Sequence, residues 1–394
     1  MSNHPVPVCL PSPSTSGGRS TVIHVVENLN RGGLERVVID LIRAQRAAGM
    51  CCRVICLFEP GPLANELIAD GVDVRACNKR HGLDLRALSR MRTLLREDPG
   101  AVLHSHNAVA HYYAALAAVG LRLGRVVNTR HAMPVGGGAG RREWLYRRSM
   151  CMTDVAVAVC ETARLQLQRQ GVCPSLGLVA IPNGIELERF LPVSAQARRQ
   201  LAETLEVPPD TLLIGTVGRL NEVKDHATLI RAFRLVHEAL PATALLLIGG
   251  GALRAQLETV ARTEGVDGAV YFFGDRGDVD VLLRGLDLFA MSSLTEGYSV
   301  ALLEASAVAL PIVATDVGGN AEIVRQDVSG QLVPASDPKA LAAAMISLLR
   351  DRERAAAMGR AGREWVLGEG SFQSMAARYA GIYGQPTAQV GANP

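Results

Sequence analysis

The stretch TEGYSVALLEASAVALP, Thr295–Pro311, carries two carboxylates in an otherwise uncharged part of the chain. It follows an apolar run, 286–291, that is typical of a buried strand. The apolar spacing from Ser299 onward predicts a helix that Pro311 ends and Ser299 caps. Glu296 then lies in the turn before the helix, and Glu304 lies within it. This strand, turn and helix unit indicates one repeat of a parallel α/β sheet.

A carboxylate in apolar surroundings costs free energy unless hydrogen-bond donors satisfy it. The partner of Glu296 or Glu304 is either a basic side chain or backbone amide of the protein, or a ligand rich in hydroxyls. The free N–H groups at the start of the helix also favour an anion. The stretch by itself leaves both alternatives open.

The same alternation of apolar strand, loop and helix runs through the chain from Thr21. The predicted strands are TVIHVV, CRVICLF, VDVRAC, AVLHSH, RVVNTRH, DVAVAV and LGLVAI, then TLLIGTV, TALLLIG, AVYFF, LDLFAMS and PIVAT. Continuous apolar strands that alternate with helices predict parallel sheets covered on both faces. Between the two series, IPNGIELERFLPVS, 181–194, has the turn residues and prolines of a linker.

At 394 residues the chain is too long for one ordinary core. The predicted fold class is therefore α/β, with two doubly wound, Rossmann-like domains that face each other across a cleft. In such sheets ligands bind outside the carboxyl ends of the strands. The predicted divisions are a disordered arm over 1–20, an N-terminal domain over 21–182, a hinge over 183–194, a second domain over 195–370, a C-terminal helix over 371–384 that returns to the first domain, and a flexible tail over 385–394.

Composition narrows the class of protein. Hydrophobic residues make up 48% and charged residues 20%, which is typical of a packed globular protein, and the net charge of +3 argues for neither nucleic acid nor strong membrane attraction. The eight cysteines, none beyond Cys173, match no metal or disulfide framework. The first twenty residues lack the pattern of a secretion signal, and no apolar run reaches the roughly 18–20 residues that span a bilayer. We expect a cytoplasmic protein, at most peripheral on a membrane surface.

Two cations follow the strand that ends at residue 217. Gly218 permits a turn, and Arg219 and Lys224 then flank the start of a helix. Such cations can neutralise a diphosphate and stabilise the charge that develops on it as a leaving group. The alternative is that they pair with Glu222 and Asp225 at the surface.

Other loops contain candidate binding residues. Gly33 precedes a helix start, where backbone can approach a phosphate or simply turn, although the loop is not a GxGxxG motif. His131 closes a strand and either contacts a sugar or is a satisfied loop histidine. The acidic pair Asp278 and Asp280 resembles a metal-binding DxD, but Asp278 is better explained as a helix cap. His104 and His106 alternate on one strand and indicate a structural role.

The segment RREWLYRR combines four arginines with Trp144 and Tyr146. The arginines are Arg141, Arg142, Arg147 and Arg148. They can contact anionic lipid headgroups or the phosphates of a lipid-linked acceptor, or form an ordinary solvated helix face.

Taken together, these segments resemble the retaining family 4 glycosyltransferases of the GT-B type. The resemblance covers about Thr21 to Tyr383 and is strongest over 181–334. It is carried by IPNGIELERF, GRLNEVKDHATLIRAF, LLLIGGG, VYFFGDRGDV, EGYSVALLEASA and PIVATDVGGNAEIV. There are two departures from the family pattern: Val308-Ala309 stand where a glycine often precedes the proline, and Cys160 replaces a commoner serine.

The resemblance implies roles for individual residues. Arg219 and Lys224 would hold the donor diphosphate, Glu304 the ribose and Glu296 the transferred sugar, with His131 beside that sugar. Glu296, Arg219, Lys224 and His131 form the implied catalytic set. The further implied substrate contacts are Gly33, Gly218, Arg276, Gly297, Tyr298, Ser299 and Val300.

The implied activity is retaining transfer of a sugar from a nucleoside diphosphate donor, UDP first and GDP second. The implied acceptor is a hydroxyl of a glycan or lipid-linked molecule in bacterial surface-polysaccharide assembly. The implied scheme needs no metal, cofactor or nucleic acid. The alternatives are a nucleotide-sugar epimerase of the same architecture and a non-catalytic scaffold that binds nucleotide sugars.

Overall fold

A computed structural model describes residues 21–30, 32–131 and 140–384. These residues form two compact units, one of residues up to 182 together with 372–384, the other of residues 183–371. We call them unit 1 and unit 2. The arm predicted over 1–20 and the tail predicted over 385–394 lie outside the described residues.

Each unit is built on a parallel β-sheet. The strands are β1 Thr21–Val26, β2 Cys51–Cys56, β3 Asp73–Ala76, β4 Val102–His106, β5 Arg125–Arg130, β6 Val155–Ala158, β7 Gly177–Ala180, β8 Leu212–Val217, β9 Thr243–Ile248, β10 Val270–Gly274, β11 Leu288–Met291, β12 Ile312–Thr315 and β13 Gln331–Val333. In unit 1 the order is β3-β2-β1-β4-β5-β6-β7, and in unit 2 it is β10-β9-β8-β11-β12-β13. The strand order reverses beside β1 and beside β8, which is where doubly wound sheets bind ligands.

Helices connect successive strands in both units. They are α1 Gly33–Ala47, α2 Ala64–Ala69, α3 Leu85–Leu95, α4 Ala108–Ala118, α5 Arg141–Ser149, α6 Glu161–Arg169, α7 Ala195–Thr204, α8 His226–Ala239, α9 Arg254–Thr263, α10 Val279–Leu283, α11 Val300–Ala307, α12 Asn320–Ile323, α13 Pro338–Arg350, α14 Arg352–Glu369 and α15 Phe372–Tyr383. The predicted α/β class of two Rossmann-like domains is confirmed. The elements α7, α12 and β13 were not predicted, and the last two are too short to show a period.

Apolar side chains from strands and helices fill each core. In unit 2, Leu245 and Leu247 of β9 and Phe233 of α8 are fully buried in one cluster. In unit 1, Ile23 of β1 and Leu103 of β4 are likewise almost fully buried in the core cluster of that unit. Because both faces of each sheet are covered, most strands are largely apolar without alternation. The main exceptions are in unit 1, where β1, β4 and β5 carry buried polar side chains. Polar groups that bind a ligand must therefore come from the loops or the strand ends.

The C-terminal helix α15 is part of unit 1. Its Tyr379 and Tyr383 side chains are buried, and the guanidinium of Arg125 on β5 donates a hydrogen bond to the carbonyl of Ile382. Unit 1 therefore completes its core with residues that lie almost 200 positions beyond the rest of it in the chain.

The helix predicted after Glu296 is α11, which ends before a left-handed residue. Ser299 stands at its N-cap, but the hydroxyl contacts Met291 Sδ at 3.7 Å and caps no backbone N–H, so the predicted side-chain cap is wrong. Ala309 has φ +63°. A glycine is favoured in that conformation. The left-handed backbone therefore gives a physical reason for the glycine that the family pattern often has here, in place of which this chain has an alanine.

None of the helices in the described ranges has both the length and the apolar character that crossing a bilayer requires.

Close packing of α14 gives a stability prediction. A Cβ on Gly359 would overlap the carbonyl oxygen of Ala309, whereas a Cβ on Gly368 in the same helix would meet nothing within 4 Å. We expect Gly359→Ala to lower the unfolding free energy by about 1–3 kcal/mol, since backbone must move to admit it. Gly368→Ala should leave stability unchanged or raise it by up to about 1 kcal/mol. Thermal melts of both variants check this, and equal melting temperatures would contradict it.

Candidate functional site

The loops that follow β8 and β11 are joined at one edge of the unit 2 sheet. These strands are parallel neighbours, so their carboxyl ends lie side by side. The backbone N–H of Leu294 donates to the carbonyl of Val223 at 2.8 Å. Ser292 Oγ lies 2.9 Å from the carbonyl oxygens of both Lys224 and Asp225. Residues about 70 positions apart in the chain are thus held as one surface.

Lys224, Ser293 and Glu296 meet at this edge. Lys224 Nζ lies 2.5 Å from Glu296 Oε1, and Ser293 Oγ donates to the same oxygen at 2.6 Å. The Lys224 and Glu296 side chains are 22% and 11% exposed. Lys224 therefore does not form an ion pair with Glu222 or Asp225, the surface partners considered from the sequence, and that alternative is wrong for Lys224. Its partner is Glu296, another of the four predicted catalytic residues.

The turn that carries Lys224 is fixed by its neighbours. Asn221 Oδ1 accepts the backbone N–H of Lys224 at 3.2 Å. Asp225 adopts a left-handed conformation, φ +45°, and its carboxylate caps α8 by accepting the N–H of Thr228 at 3.3 Å. Two side-chain caps in succession therefore set the direction of the lysine side chain before any ligand is considered.

Two glycines let neighbouring loops approach this surface. Gly249, φ +141°, packs against the carbonyl of Gly218, and Gly318, φ +56°, packs against the carbonyl of Glu296. Any Cβ at either position would overlap that carbonyl. Gly218 itself is placed beside the aliphatic part of Lys224, about 3.4 Å from where a Cβ would stand. The predicted role of Gly218 as a turn residue thus coincides with close packing on the lysine.

The start of α11 lies directly after Glu296. The carbonyl of Gly297 accepts the N–H of Gly319 at 2.9 Å, and Asn183 Nδ2 donates to the carbonyl of the buried Tyr298 at 3.3 Å. Ser299 is buried and Val300 begins the helix. The predicted substrate contacts 297–300 thus form one braced segment at a helix N-terminus, where N–H groups favour an anion.

Sequence reasoning missed Asn183, Ser292 and Ser293. The two serines directly follow β11 and precede the Glu296 turn, so a pair of hydroxyls at a strand end was the available signal. Asn183 has no such signal, because its contact with Tyr298 spans 115 residues.

Glu304 is partly buried, four residues after the first residue of α11. Burial lowers the pKa of Arg189, but its hydrogen bond with Asp280 and the charges of Asp280 and Glu304 outweigh burial and raise it. The charge of Glu304 thus reaches Arg189, whose hydrogen-bonding partner is Asp280.

Arg219 and Arg276 lie on the loops that follow β8 and β10, and β9 lies between those two strands in the sheet. Arg219 is exposed directly after β8. Arg276 Nε and Nη2 donate to the Asp278 carboxylate at 2.8 and 2.6 Å, and this hydrogen bonding lowers the Asp278 pKa. The Asp278 side chain makes no capping hydrogen bond to α10, so that prediction is wrong. A nucleotide that uses Arg276 must share it with Asp278.

His226 is a buried group that sequence reasoning also missed. It begins α8 directly after the Lys224 turn, and burial, together with the positive charge of Lys224, lowers its pKa to about 4. It is therefore neutral at pH 7 and adds no positive charge to the surface.

The remaining predicted residues belong to unit 1. Gly33 is the first residue of α1, exposed, and a Cβ there would meet nothing within 4 Å. His131 follows β5 at the carboxyl edge of the sheet. Its Nε2 lies 3.0 Å from His106 Nδ1, its backbone N–H donates to Asn107 Oδ1 at 3.1 Å, and burial lowers its pKa to about 4. It is a neutral imidazole with one ring nitrogen already engaged.

Within the described residues, one group of side chains has metal-ligand geometry: His24, His104 and His106, whose ring nitrogens lie within 4.8 Å of one another. All three are buried, and each ring nitrogen has a protein partner. Asp278 and Asp280, the DxD considered from the sequence, belong to no such group in the described part of the chain.

The arginine-rich segment forms α5. Its four arginines and Trp144 are exposed, whereas Tyr146 is buried and Glu143 is paired with Arg130 at 3.0 Å. The segment thus presents cations and one large aromatic side chain on its outer face.

Comparison with known proteins gives matches over both units. The family described as Glycosyl transferases group 1 matches residues 197–365, and Glycosyltransferase Family 4 matches residues 31–189. "Putative glycosyltransferase EpsF" of Bacillus subtilis (strain 168) is 28% identical over 89% of this chain and 91% of its own. "Putative glycosyltransferase EpsD" of the same strain is 30% identical over 68% and 72%. A Mycobacterium tuberculosis (strain ATCC 25618 / H37Rv) relative, "GDP-mannose-dependent alpha-(1-6)-phosphatidylinositol monomannoside mannosyltransferase", is 31% identical over 58% and 61%.

Solved structures share the fold. Anabaena Alr3699/HepE in complex with UDP-glucose superposes with a TM-score of 0.81 at 18% identity, covering 92% of this chain and 98% of that one. WaaG, a glycosyltransferase involved in lipopolysaccharide biosynthesis, gives 0.74 at 18% identity, covering 92% and 99%.

The contact of Gly318 with the Glu296 carbonyl gives a test of the site's bracing. Gly318→Ala should displace the Glu296 turn, because its Cβ overlaps that carbonyl and its φ disfavours alanine. We expect the unfolding free energy to fall by about 1–3 kcal/mol. Gly268→Ala, where a Cβ meets nothing within 4 Å, is the control. Chemical denaturation of both variants checks this, and an unchanged Gly318→Ala midpoint would show that the turn is not braced there.

Proposed function

The chain belongs to family 4 of the glycosyltransferases, which has the GT-B fold, and we propose a function on that basis. It transfers a sugar from a nucleoside diphosphate sugar to an acceptor hydroxyl, with retention at the anomeric carbon. The acceptor is a glycan or lipid-linked molecule of bacterial surface-polysaccharide assembly. Its relatives support this class: several are named glycosyltransferases, and one such name specifies a phosphatidylinositol monomannoside acceptor.

One observation carries the proposal: a lysine, a serine and a glutamate converge at the carboxyl edge of the unit 2 sheet, directly before the N-terminus of α11. Sugar transfer builds negative charge on the leaving diphosphate. A fixed ammonium and oriented backbone N–H groups stabilise that charge without reorganisation at the moment of reaction. Lys224, with the exposed Arg219 on the same loop, supplies the positive charge, so the scheme uses no metal and no cofactor.

The pairing of Lys224 with Glu296 shapes how the donor binds. Lys224 holds a carboxylate at 2.5 Å, so a diphosphate must replace or share that anionic partner. Both hydrogen bonds to Glu296 reach Oε1, and Oε2 receives none from the described residues. We assign Oε2 to the hydroxyls of the transferred sugar.

The route that fits these roles is a front-face substitution. Glu296 is oriented by Lys224 and Ser293 as a hydrogen-bond acceptor rather than as the nucleophile of a double displacement. The departing phosphate oxygen then takes the proton of the acceptor hydroxyl, and its negative charge is balanced by Lys224 and Arg219.

The nucleotide is proposed as UDP first and GDP second. A structural relative is described in complex with UDP-glucose, and a sequence relative is named GDP-mannose-dependent. Glu304 in α11 is assigned to the ribose hydroxyls and Arg276 to the base side of the nucleotide. His131 and Gly33 of unit 1 are assigned to the sugar and the phosphates.

Loss of one charge at this site should abolish most of the turnover. We expect Glu296→Ala, Lys224→Ala and Arg219→Ala each to lower kcat by at least about 100-fold, which is typical of removing one preorganised group. The measurement is nucleoside diphosphate release from UDP- and GDP-sugars with glycan and polyprenyl-linked acceptors. Arg231→Ala is the matched control, since Arg231 is a half-exposed surface cation 3.7 Å from Glu264.

Thermal melts with the same nucleotides separate binding from catalysis. A ligand at about 100 times its Kd stabilises the native state by about 2.7 kcal/mol, so UDP or GDP should raise the melting temperature by several degrees. If kcat is near normal in Glu296→Ala, Lys224→Ala and Arg219→Ala, the catalytic roles assigned to these residues are rejected. Binding without transfer to any acceptor favours the non-catalytic scaffold instead.

We further propose that α5 contacts anionic lipid on the cytoplasmic face of the membrane, through its exposed arginines and Trp144. Each cation near such a surface contributes about 1 kcal/mol. Changing Arg141, Arg142, Arg147 and Arg148 to Gln should weaken co-sedimentation with phosphatidylglycerol vesicles at least tenfold. The control changes the exposed Arg254 and Arg262 of α9 to Gln. Equal binding by both variants would leave α5 as a solvated face.

A further inference from the structure

A continuous chain of hydrogen-bonded side chains runs through the core of unit 1 and ends at His131. In order its members are His131, His106, His24, Gln45, Tyr383, His104, Thr129 and Tyr379. Successive polar atoms lie 2.7–3.1 Å apart. The side chains come from β1, β4, β5, α1 and α15. All except His131 are almost fully shielded from solvent.

The histidines in this network are neutral. Burial lowers the pKa of His24 and of His131 to about 4, and it lowers the pKa of His104 and of His106 well below the usual value. A neutral imidazole carries one N–H donor and one lone-pair acceptor. In a chain of such rings, the tautomer of one ring therefore determines the tautomer of the next.

Gln45 divides the network into two arms, one that leads through His24 and His106 to His131 and one that leads through Tyr383 to Tyr379. The hydrogen bonds of Gln45 determine which atoms donate and which accept along the arm that ends at His131. Gln45 Oε1 lies 2.8 Å from His24 Nε2 and accepts, which makes His24 the Nε2–H tautomer. His24 Nδ1 must then accept from His106 Nε2–H at 3.0 Å. His106 Nδ1 in turn accepts from His131 Nε2–H at 3.0 Å. The arm leaves His131 Nδ1 as a bare lone pair.

The opposite direction is less favourable. It would require a flipped Gln45 amide and would place a proton on His131 Nδ1, which is buried and has no partner among the described residues. An orphaned N–H is rarer in proteins than an orphaned acceptor. The other arm does not decide the matter, because Tyr383, Thr129 and Tyr379 carry hydroxyls that rotate to donate or accept.

A metal ion is the competing explanation of the clustered histidines. The six ring nitrogens of His24, His104 and His106 all have protein partners, and the network holds no carboxylate. A divalent ion would displace several of these hydrogen bonds and bring an uncompensated double charge into the core. The hydrogen-bonded arrangement is the one that the distances satisfy.

We propose that Gln45, His24 and His106 are positioning residues that hold His131 as the neutral Nε2–H tautomer and present Nδ1 as a hydrogen-bond acceptor for a substrate hydroxyl. His131 stands at the carboxyl edge of the unit 1 sheet, directly after β5, where doubly wound sheets bind ligands. The substrate role rests on the transferase function proposed above, whereas the tautomer assignment does not.

The direct test is nitrogen NMR of the full chain labelled with ¹⁵N-histidine. Long-range proton–nitrogen correlations at pH 7 distinguish the two neutral tautomers from imidazolium, with signals assigned by single histidine variants. We expect the Nε2–H form for His24, His106 and His131. An Nδ1–H or charged His131 overturns the proposal, as does stoichiometric binding of Co²⁺ or Zn²⁺ that shifts these signals. Neither result depends on transferase activity.

A pair of variants tests the link to catalysis. Gln45→Met removes the acceptor that orients His24, so His131 should populate both tautomers. We expect kcat to fall about tenfold, by analogy with the loss of an orienting hydrogen bond behind a metal-binding histidine. Tyr379→Phe, at the far end of the other arm, should keep the His131 signal and the rate. A Gln45→Met protein with the wild-type His131 tautomer refutes the positioning role. If Gln45→Met does not fold, the wild-type spectrum still decides. Wild-type protein with the expected tautomers but no transfer to any acceptor would refute the proposed function alone.

Discussion

The contact between Lys224 and Glu296 joins the loops after two neighbouring strands of unit 2, and the arrangement of the site depends on it. An ammonium and a carboxylate that are both largely shielded from water attract more strongly than a surface pair, but each also needs a partner. Ser293 supplies the second hydrogen bond to Glu296, and the caps at Asn221 and Asp225 hold the lysine turn. The charges are therefore fixed in position by the protein.

The backbone around this pair is packed closely enough to require glycine. Gly249 and Gly318 place two further loops against the carbonyls of Gly218 and Glu296, with no room for a side chain. A preorganised charge is useful only if its support does not move. The glycines contribute by allowing loops from four strands to brace one another rather than by contacting a ligand.

Buried polar groups are satisfied in two ways in this chain. Opposite charges meet in the Lys224–Glu296 pair of unit 2 and in the Arg130–Glu143 pair of unit 1. The buried histidine network of unit 1 contains no charged partner among the described residues, so desolvation keeps its histidines neutral. The tautomer of each ring is then set by whether its neighbour donates or accepts a hydrogen bond, and not by a charge. Completion of this network by α15 makes the last described helix part of the environment of His131. The side-chain caps expected at Ser299 and Asp278 do not form, because the Ser299 hydroxyl contacts Met291 and the Asp278 carboxylate accepts from Arg276.

Hydrophobic periodicity and residue type determined the alternation of strands and helices, the parallel sheets, and the placement of Arg219, Lys224, Glu296 and His131 at strand ends. These properties are local, since a buried parallel strand must be apolar and its loop must carry the polar groups. The pairing of Lys224 with Glu296 and the eight-membered network were decided only by the tertiary structure. Their members lie up to 338 residues apart along single hydrogen bonds, and no local pattern encodes which distant side chain will fill a given hydrogen-bonding position.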